Sequence, residues 1–311
     1  MRPTGRSSQT VATSPLADEG RIPPLDSRLP SSAIRLRRLG VTMRRQRNIA
    51  VGAVALGFIV IVAIFAGQIA PHDPNLITPV ERLLEPTSNH PFGTDGQGRD
   101  VFSRMVYGAR LSLGVGFAVA IATSVAGTLI GLAAGFYPRV DAVVMRVMDG
   151  MMAFPGVILA IGVMAVRGAQ ISNIILALTI VNAPRMARIV RSVVLGVAES
   201  QFVEAARATG LTGPRILLRH ILPNCLSPLI VQASFVFAEA VLGEATLSFL
   251  GAGAPADVPS WGTMLNESKL FLSQAPWTML APGAALTLTV FALNLLGDGL
   301  RDTLDPRLRH R

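Results

Sequence analysis

The chain has 311 residues, half of them hydrophobic and only 15% charged, with a mean hydropathy of +0.50. That balance excludes an ordinary soluble domain and describes a chain that crosses a bilayer several times. The net charge is +9, but the basic residues stand at the ends of apolar runs, as topology signals do, and do not form the patch that a nucleic-acid partner requires.

Residues 1–48 hold ten arginines against three acids, Asp18, Glu19 and Asp26, with Pro and Ser throughout. No apolar period runs through them, so they read as a disordered basic cytoplasmic tail. An arginine-rich transit peptide is the competing reading, and the three acids weigh against it. A cleaved signal peptide would place its apolar core earlier in the chain. The basic cluster over 35–47 would lie near anionic headgroups.

Six apolar runs follow, at 49–70, 111–135, 149–166, 170–190, 225–248 and 278–298. Each is near the roughly 20 residues that carry a helix across a bilayer. Helices are required because an unpaired backbone group in lipid costs several kcal/mol. The expected fold is therefore an all-α membrane protein with six transmembrane helices. Asn173, Asn182, Pro184 and Arg185 interrupt the fourth run. An even number of spans puts both termini on one side. The tail, Arg139, Arg146, the six arginines in 185–219 and the four at the C-terminus would share that side. Only Arg82, Arg99, Arg104, Arg110, Arg167 and Lys269 would lie opposite. This asymmetry predicts cytoplasmic termini.

The polar segment 71–110 carries five prolines and, on this orientation, lies outside. Its glycines do not make a phosphate loop, for no strand precedes them and no Gly-Lys-Ser/Thr follows. A turn leading into an amphipathic surface helix is expected there. In the second run Gly114, Gly116, Gly127, Gly131 and Gly135 recur, and the step from Gly127 to Gly131 permits close helix contact. Asp149 falls in the third run and Glu239 and Glu244 in the fifth. A charge at a helix centre costs about 2.5–3.5 kcal/mol on insertion scales, so these acids should face the bundle or a watery path. A pathway or gate role and a helix–helix bond are both open. Trp261 and Trp277 suit an interfacial aromatic belt. His72, His90, His220 and His310 are scattered, with none at metal-ligand spacing, and the lone Cys225 excludes a disulfide or cysteine cluster. No catalytic set, metal site or cofactor site is expected.

Between the fourth and fifth runs, Ser200 suits an N-cap, 201–209 a short alanine-rich helix, and Gly210 its left-handed C-terminal residue. Gly213-Pro214 reads as a turn, followed by a second short amphipathic turn from Ile216 to Pro223. Alanines on an exposed helix let another surface come close.

Glu204-Ala205-Ala206, Gly210 and Ile221-Leu222-Pro223 resemble the EAA loop of importer-type ABC transporter permeases. The run from His220 to Asn224 is similar to the peptide/nickel branch, although the family pattern places an apolar residue where His220 stands. Gly93-Thr-Asp, Gly98-Arg-Asp, Ser103-Arg and Gly108-Ala-Arg resemble the region before the second span in dipeptide/oligopeptide/nickel permeases. Further matches at 244–253, 259–262 and 297–306 extend the resemblance over about residues 40–308.

The resemblance implies a type I ABC importer (MetI-like) permease core of five helices at 111–300, preceded by one N-terminal helix at 49–70. It implies a cytoplasmic coupling loop at 191–224 and a cytoplasmic C-terminus at 301–311. Glu204 would orient that loop, Ala205 and Ala206 would allow close approach, and Gly210 and Pro214 would shape its turns. Ile221, Leu222 and Pro223 would complete the docking element. Glu239, Glu244 and Asp149 are the candidate pathway or gate residues. The chain would bind no cofactor, with ATP and Mg held by two partner ATPase subunits. A second homologous permease chain (making a heterodimer) and an extracytoplasmic substrate-binding protein complete the implied assembly in the bacterial cytoplasmic membrane. The implied cargo is di- or oligopeptides, with nickel or glutathione as alternatives. A stand-alone secondary transporter, with Glu239, Glu244 and Asp149 as ion-linked groups, is the reading from another class; it predicts an inverted repeat that is not evident.

Overall fold

A chain this apolar must pair its backbone amides within each segment, and it does so as helices almost throughout. The computed structural model describes residues 31–255 and 257–304. Two units divide at Arg44 and Arg45, and the account below concerns the second. Helix α1 spans Ser31–Ile64. Residues 31–48 are therefore helical, a correction to the disordered reading. Ala, Leu and Arg are good helix formers, and composition alone hides this. Residues 1–30 and 305–311 lie outside the described residues.

After α1 and the single turn α2 (Ala66–Ile69), the chain forms a polar cap up to Asp100, with a 3-10 turn at Pro79–Glu81. Helix α3 runs over Val101–Phe136, 36 residues and about 54 Å long. It starts well before the apolar run at 111. The cause is Asp100, whose carboxylate accepts from the Ser103 amide at 2.7 Å and caps the helix. Helices α4 (Pro138–Met152) and α5 (Gly156–Arg167) meet at 94°. The expected third span is thus a broken pair. Pro155 lacks an amide hydrogen and disfavours helical geometry in the residue before it. The fourth run, by contrast, is one continuous helix, α6 (Ile171–Ala198), with Pro184 inside. Helix α7 (Gln201–Ala208) and α8 (Gly213–Ile216) follow. A π-turn at Leu217–Ile221 joins α8 to α9 (Leu222–Phe249), so Gly213–Phe249 is one long span. Helices α10 (Trp261–Ser268) and α11 (Trp277–Leu304) close the described chain. Among the described residues, five helices are long and apolar enough to cross a membrane, or six with the bent pair.

The body is built on α3, α6 and α9. A Cβ on Gly127 would stand 2.5 Å from that of Met186, and one on Gly135 2.6 Å from that of Val194. On Gly131 it would stand 2.6 Å from the Ala187 carbonyl oxygen. The three glycines, at i, i+4 and i+8, thus bring α3 and α6 to backbone distance, the use expected of small residues in lipid. Gly116 does the same for α9, against Val241 and Phe237. The end of α1 packs on this body through Ala63, and Arg110 of α3 ties it by donating to the Ala63 and Ile64 carbonyls at 2.6 and 2.8 Å. Trp261 is not an interfacial residue. It is buried, donates from Nε1 to the Met105 carbonyl at 3.0 Å, and packs beside Gly108.

We expect Gly131→Ala to force α3 and α6 apart at a cost of about 1–3 kcal/mol. Gly114→Ala, where nothing lies within 4 Å, should be neutral or stabilising. Thermal unfolding of the detergent-solubilised chain measures both, and equal melting temperatures would contradict the glycine contact.

Candidate functional site

The α7 loop is held to the membrane body by one apolar cluster. Val203 and Ala206 of α7 are buried against Leu132 of α3, Val190 and Val194 of α6, Ile216, Ile221 and Cys225. Burying a valine of this kind contributes about 1.5–3 kcal/mol. The inner face of α7 is therefore fixed, and its outer face is free: Glu204, Ala205, Arg207 and Ala208 are exposed. This splits the two alanines. Ala205 lies on the open surface, whereas Ala206 packs inward and holds the loop to its own chain. Arg207 reaches back over the Phe136 ring at the end of α3, 5.6 Å from its centroid.

Both ends of α7 follow local chemistry. Ser200 occupies the N-cap position, but its hydroxyl donates backwards to the Val197 carbonyl at 2.6 Å and makes no side-chain cap. At the other end Gly210 has φ +80°, its amide donates to the Arg207 carbonyl, and the Leu211 amide donates to that of Ala206. That pair of bonds is a Schellman stop. Pro214 is exposed in the first turn of α8, where a missing amide costs nothing. The expected second stop at Pro223 does not occur. The Leu222 amide reaches back to the Leu217 carbonyl in the π pattern, and the Asn224 side chain donates to the His220 carbonyl at 2.7 Å. Ile221 is buried, Leu222 half-buried and Pro223 exposed.

The acids separate into two kinds. Glu244 is wholly buried and accepts from Ser112 at 2.9 Å and from Ser248 at 2.8 Å. It bonds α3 to α9 and does not line an open path. Glu239 and Asp149 are exposed, and each pairs with an arginine of α6: Glu239 with Arg185, Asp149 with Arg188. A third arginine, Arg191, holds Asp141 of α4 through two hydrogen bonds. In the orientation count these three arginines stand with the cytoplasmic charges of 185–219, and Arg185 alone is singled out within the fourth run. Their spacing, i, i+3 and i+6 from the middle of α6, is the signal that count passed over. Exposed charges are costly against lipid, so this rail faces water or another protein. Arg185 and Glu239 also line a cavity of 220 Å³ at the α4–α5 break.

At the far end of α3, the polar cap is fastened by a buried ion cluster. Arg99 contacts Asp95 at 2.7 Å and Glu267 at 2.5 Å, and Arg104 contacts Glu267 at 3.0 Å. This gives Gly98-Arg-Asp and Ser103-Arg a structural account: they join the start of α3 to α10. His72 and His90, distant in sequence, stack here with ring centroids 4.7 Å apart.

Comparison with known proteins fits this architecture. Residues 127–310 match the family described as "Binding-protein-dependent transport system inner membrane component". Residues 41–88 match the "N-terminal TM domain of oligopeptide transport permease C". The chain is 44% identical to the dipeptide transport system permease protein DppC of Alkalihalophilus pseudofirmus, over 86% of this chain and 88% of the relative. It is also 44% identical to the glutathione transport system permease protein GsiD of Escherichia coli, over the same shares of the two chains. A chain of the inward-facing MetNI methionine ABC transporter superposes with a TM-score of 0.56 at 20% identity, covering 66% of this chain and 97% of that one; this shows the fold alone.

Two outcomes follow from the geometry. Charge reversal at Glu239 or Arg185 alone should lower the melting temperature or the yield of folded chain, and the exchange Arg185→Glu with Glu239→Arg should restore it. An exchange no better than the worse single variant would show that the pair does not join α6 to α9. Gly210→Ala should lower the stability of the loop by about 1 kcal/mol, seen as faster proteolysis in 200–215, because only glycine takes its φ freely.

Proposed function

The chain belongs to the family of binding-protein-dependent transport system inner membrane components, and from that premise we propose that it forms one half of the translocation pathway of an ATP-driven peptide importer. The observation that carries the coupling half of this reading is α7. Its apolar face is locked into the membrane body, and its small polar face, Glu204 and Ala205 above all, is open to a partner. A push on that face is delivered directly to α3, α6 and α9. Glu204 orients the docking surface, Ala205 keeps it shallow, and Ala206 anchors it. Gly210, Pro214, Ile221, Leu222 and Pro223 set the turns that present it.

In this assembly ATP and Mg sit on two ATPase subunits that dock on α7 from the cytoplasm. A second permease chain faces the rail of Arg185, Arg188 and Arg191, and a binding protein delivers cargo to the outer cap. Exposed Glu239 and Asp149 are pathway or gate residues by their place on that rail, while Glu244 is a helix-joining group. Both termini lie in the cytoplasm, on the strength of the arginine-rich tail. Peptide cargo is supported by the DppC relative. Glutathione, itself a short peptide, is the alternative that the equally similar GsiD supports.

The test is uptake in proteoliposomes holding the purified complex, with labelled dipeptide delivered by the binding protein. We expect ATP-dependent uptake, a loss of at least tenfold in Ala205→Trp, and an unchanged melting temperature for that variant. Ala206→Trp should fail earlier, by unseating α7. Normal uptake by Ala205→Trp would refute docking on this face. Uptake by the lone chain on an ion gradient would refute the ATP-driven reading.

A further inference from the structure

The polar cap brings together two histidines and an aspartate that neither packing nor helix capping fully explains. His72 follows α2, His90 lies in the turn before Gly93, and Asp100 caps α3. His90 and Asp100 are both buried. The two imidazoles stack with an interplanar angle of 27°, and both turn Nδ1 towards the same carboxylate. His90 Nδ1 lies 2.9 Å from Asp100 Oδ1, and His72 Nδ1 lies 4.0 Å from Oδ2. One ligand atom from each residue falls within 4.8 Å of the other two.

A plain hydrogen bond between His90 and Asp100 would suffice to fasten the cap, and it accounts for those two residues. It leaves His72 without a reason. Among the described residues its Nδ1 is buried with no hydrogen-bond partner, while its backbone amide donates to Ser103 Oγ at 3.2 Å. A buried nitrogen lone pair beside a second imidazole and a carboxylate asks for a cation. We propose that His72, His90 and Asp100 form a site for a divalent cation of the zinc class, which pins α2, the 87–90 turn and the start of α3 together.

The donor set selects that class. Two imidazole nitrogens and one carboxylate suit Zn²⁺ and its borderline neighbours, whereas Mg²⁺ and Ca²⁺ prefer oxygen ligands throughout. Bonds of about 2.0–2.2 Å to a tetrahedral ion place ligand atoms about 3.3 Å apart. His90 Nδ1 lies 2.9 Å from Asp100 Oδ1, and one ligand atom from each of the three residues falls within 4.8 Å of the others. His72, with a side chain 35% exposed, has room to move towards the other two. The other nitrogen of His90, Nε2, lies 3.5 Å from Glu81 Oε2, where a carboxylate orients a ligating imidazole. Asp100 serves the helix cap with Oδ2 and offers Oδ1 to the cation, and a water completes the fourth position.

The test is a titration of the purified full-length chain in detergent, first stripped with a chelator, against ZnCl₂ in competition with a chromophoric chelator. We expect one zinc ion per chain, a rise in melting temperature with zinc, and visible bands of tetrahedral cobalt when Co²⁺ replaces it. His72→Gln should weaken zinc binding at least tenfold and abolish the zinc-dependent rise, while melting like the wild type without metal. His90→Gln should do the same; if it fails to fold, His72→Gln alone decides, because the His72 side chain makes no hydrogen bond among the described residues. Zinc affinity equal in wild type and His72→Gln, or no binding by the wild type at about 100 μM zinc, a concentration far above that of any structural site, would overturn the proposal.

Discussion

Contact at backbone distance between α3 and α6 is the constraint from which the rest follows. In lipid no hydrophobic force drives two apolar helices together, so close packing must do it, and close packing needs small residues. Gly127, Gly131 and Gly135 supply the flat stripe, and Met186, Ala187, Val190 and Val194 lie on it. That contact sets the rotation of α6 about its own axis. With Ala187 and Val190 turned into α3, Arg185, Arg188 and Arg191 must turn away, towards α4 and α9. The acids of those helices, Asp141, Asp149 and Glu239, meet them there. The exposed pairs, Arg185–Glu239 and Arg188–Asp149, contribute only about 0–1 kcal/mol each, so they follow the packing and do not cause it.

The same contact also builds the floor for α7. Val190 and Val194, held by Gly131 and Gly135, form with Leu132 the surface on which Val203 and Ala206 rest. The loop needs a stop at one end and no stop at the other. Gly210 provides the first through a left-handed turn. The π-turn at Leu217–Ile221 provides the second by absorbing Pro223, so the chain passes from loop to span without a break. The loop is thus tied to its membrane helices by apolar side chains at one end and by helical continuity at the other.

How much of this was legible depends on the range of the interaction that decides it. Local signals read well. The apolar runs, the Gly127–Gly131 step, the α7 helix and the role of Gly210 were all visible, because each depends on residues within a turn or two. Burial was harder. Ala205 and Ala206 are the same residue type one position apart, and only the helix phase against Leu132 and Val194 tells them apart. Trp261 has the composition of an interfacial residue, and its burial depends on Met105 and Gly108, more than 150 positions away. Pro155 and Pro184 look alike in sequence. One breaks a span and the other does not: Pro184 lies buried within the α3–α6–α9 body, which holds its helix continuous, while Pro155 stands exposed at the α4–α5 turn. The His72–His90 stack and the ion pairs of α6 are long-range in the same sense, and charge counting treated their members singly.

The distribution of proline tells which helix can serve as the fixed strut. Helices α6, α9 and α11 carry Pro184, Pro228 and Pro282 in their interiors, where a lost hydrogen bond and a ring clash favour bending. Helix α3 has no proline in its 36 residues. It also joins the polar cap to the α7 loop. Its first turn is capped by Asp100 inside the polar cap, and its last aromatic residue, Phe136, receives Arg207 of α7. Under the proposed coupling, a displacement of α7 would be carried along α3 without loss to an internal kink, and the proline-bearing helices would be the ones to bend. Under the proposed coupling, motion enters at Ala205, α3 transmits it, and the rail of α6 is where the opposing helices part or close.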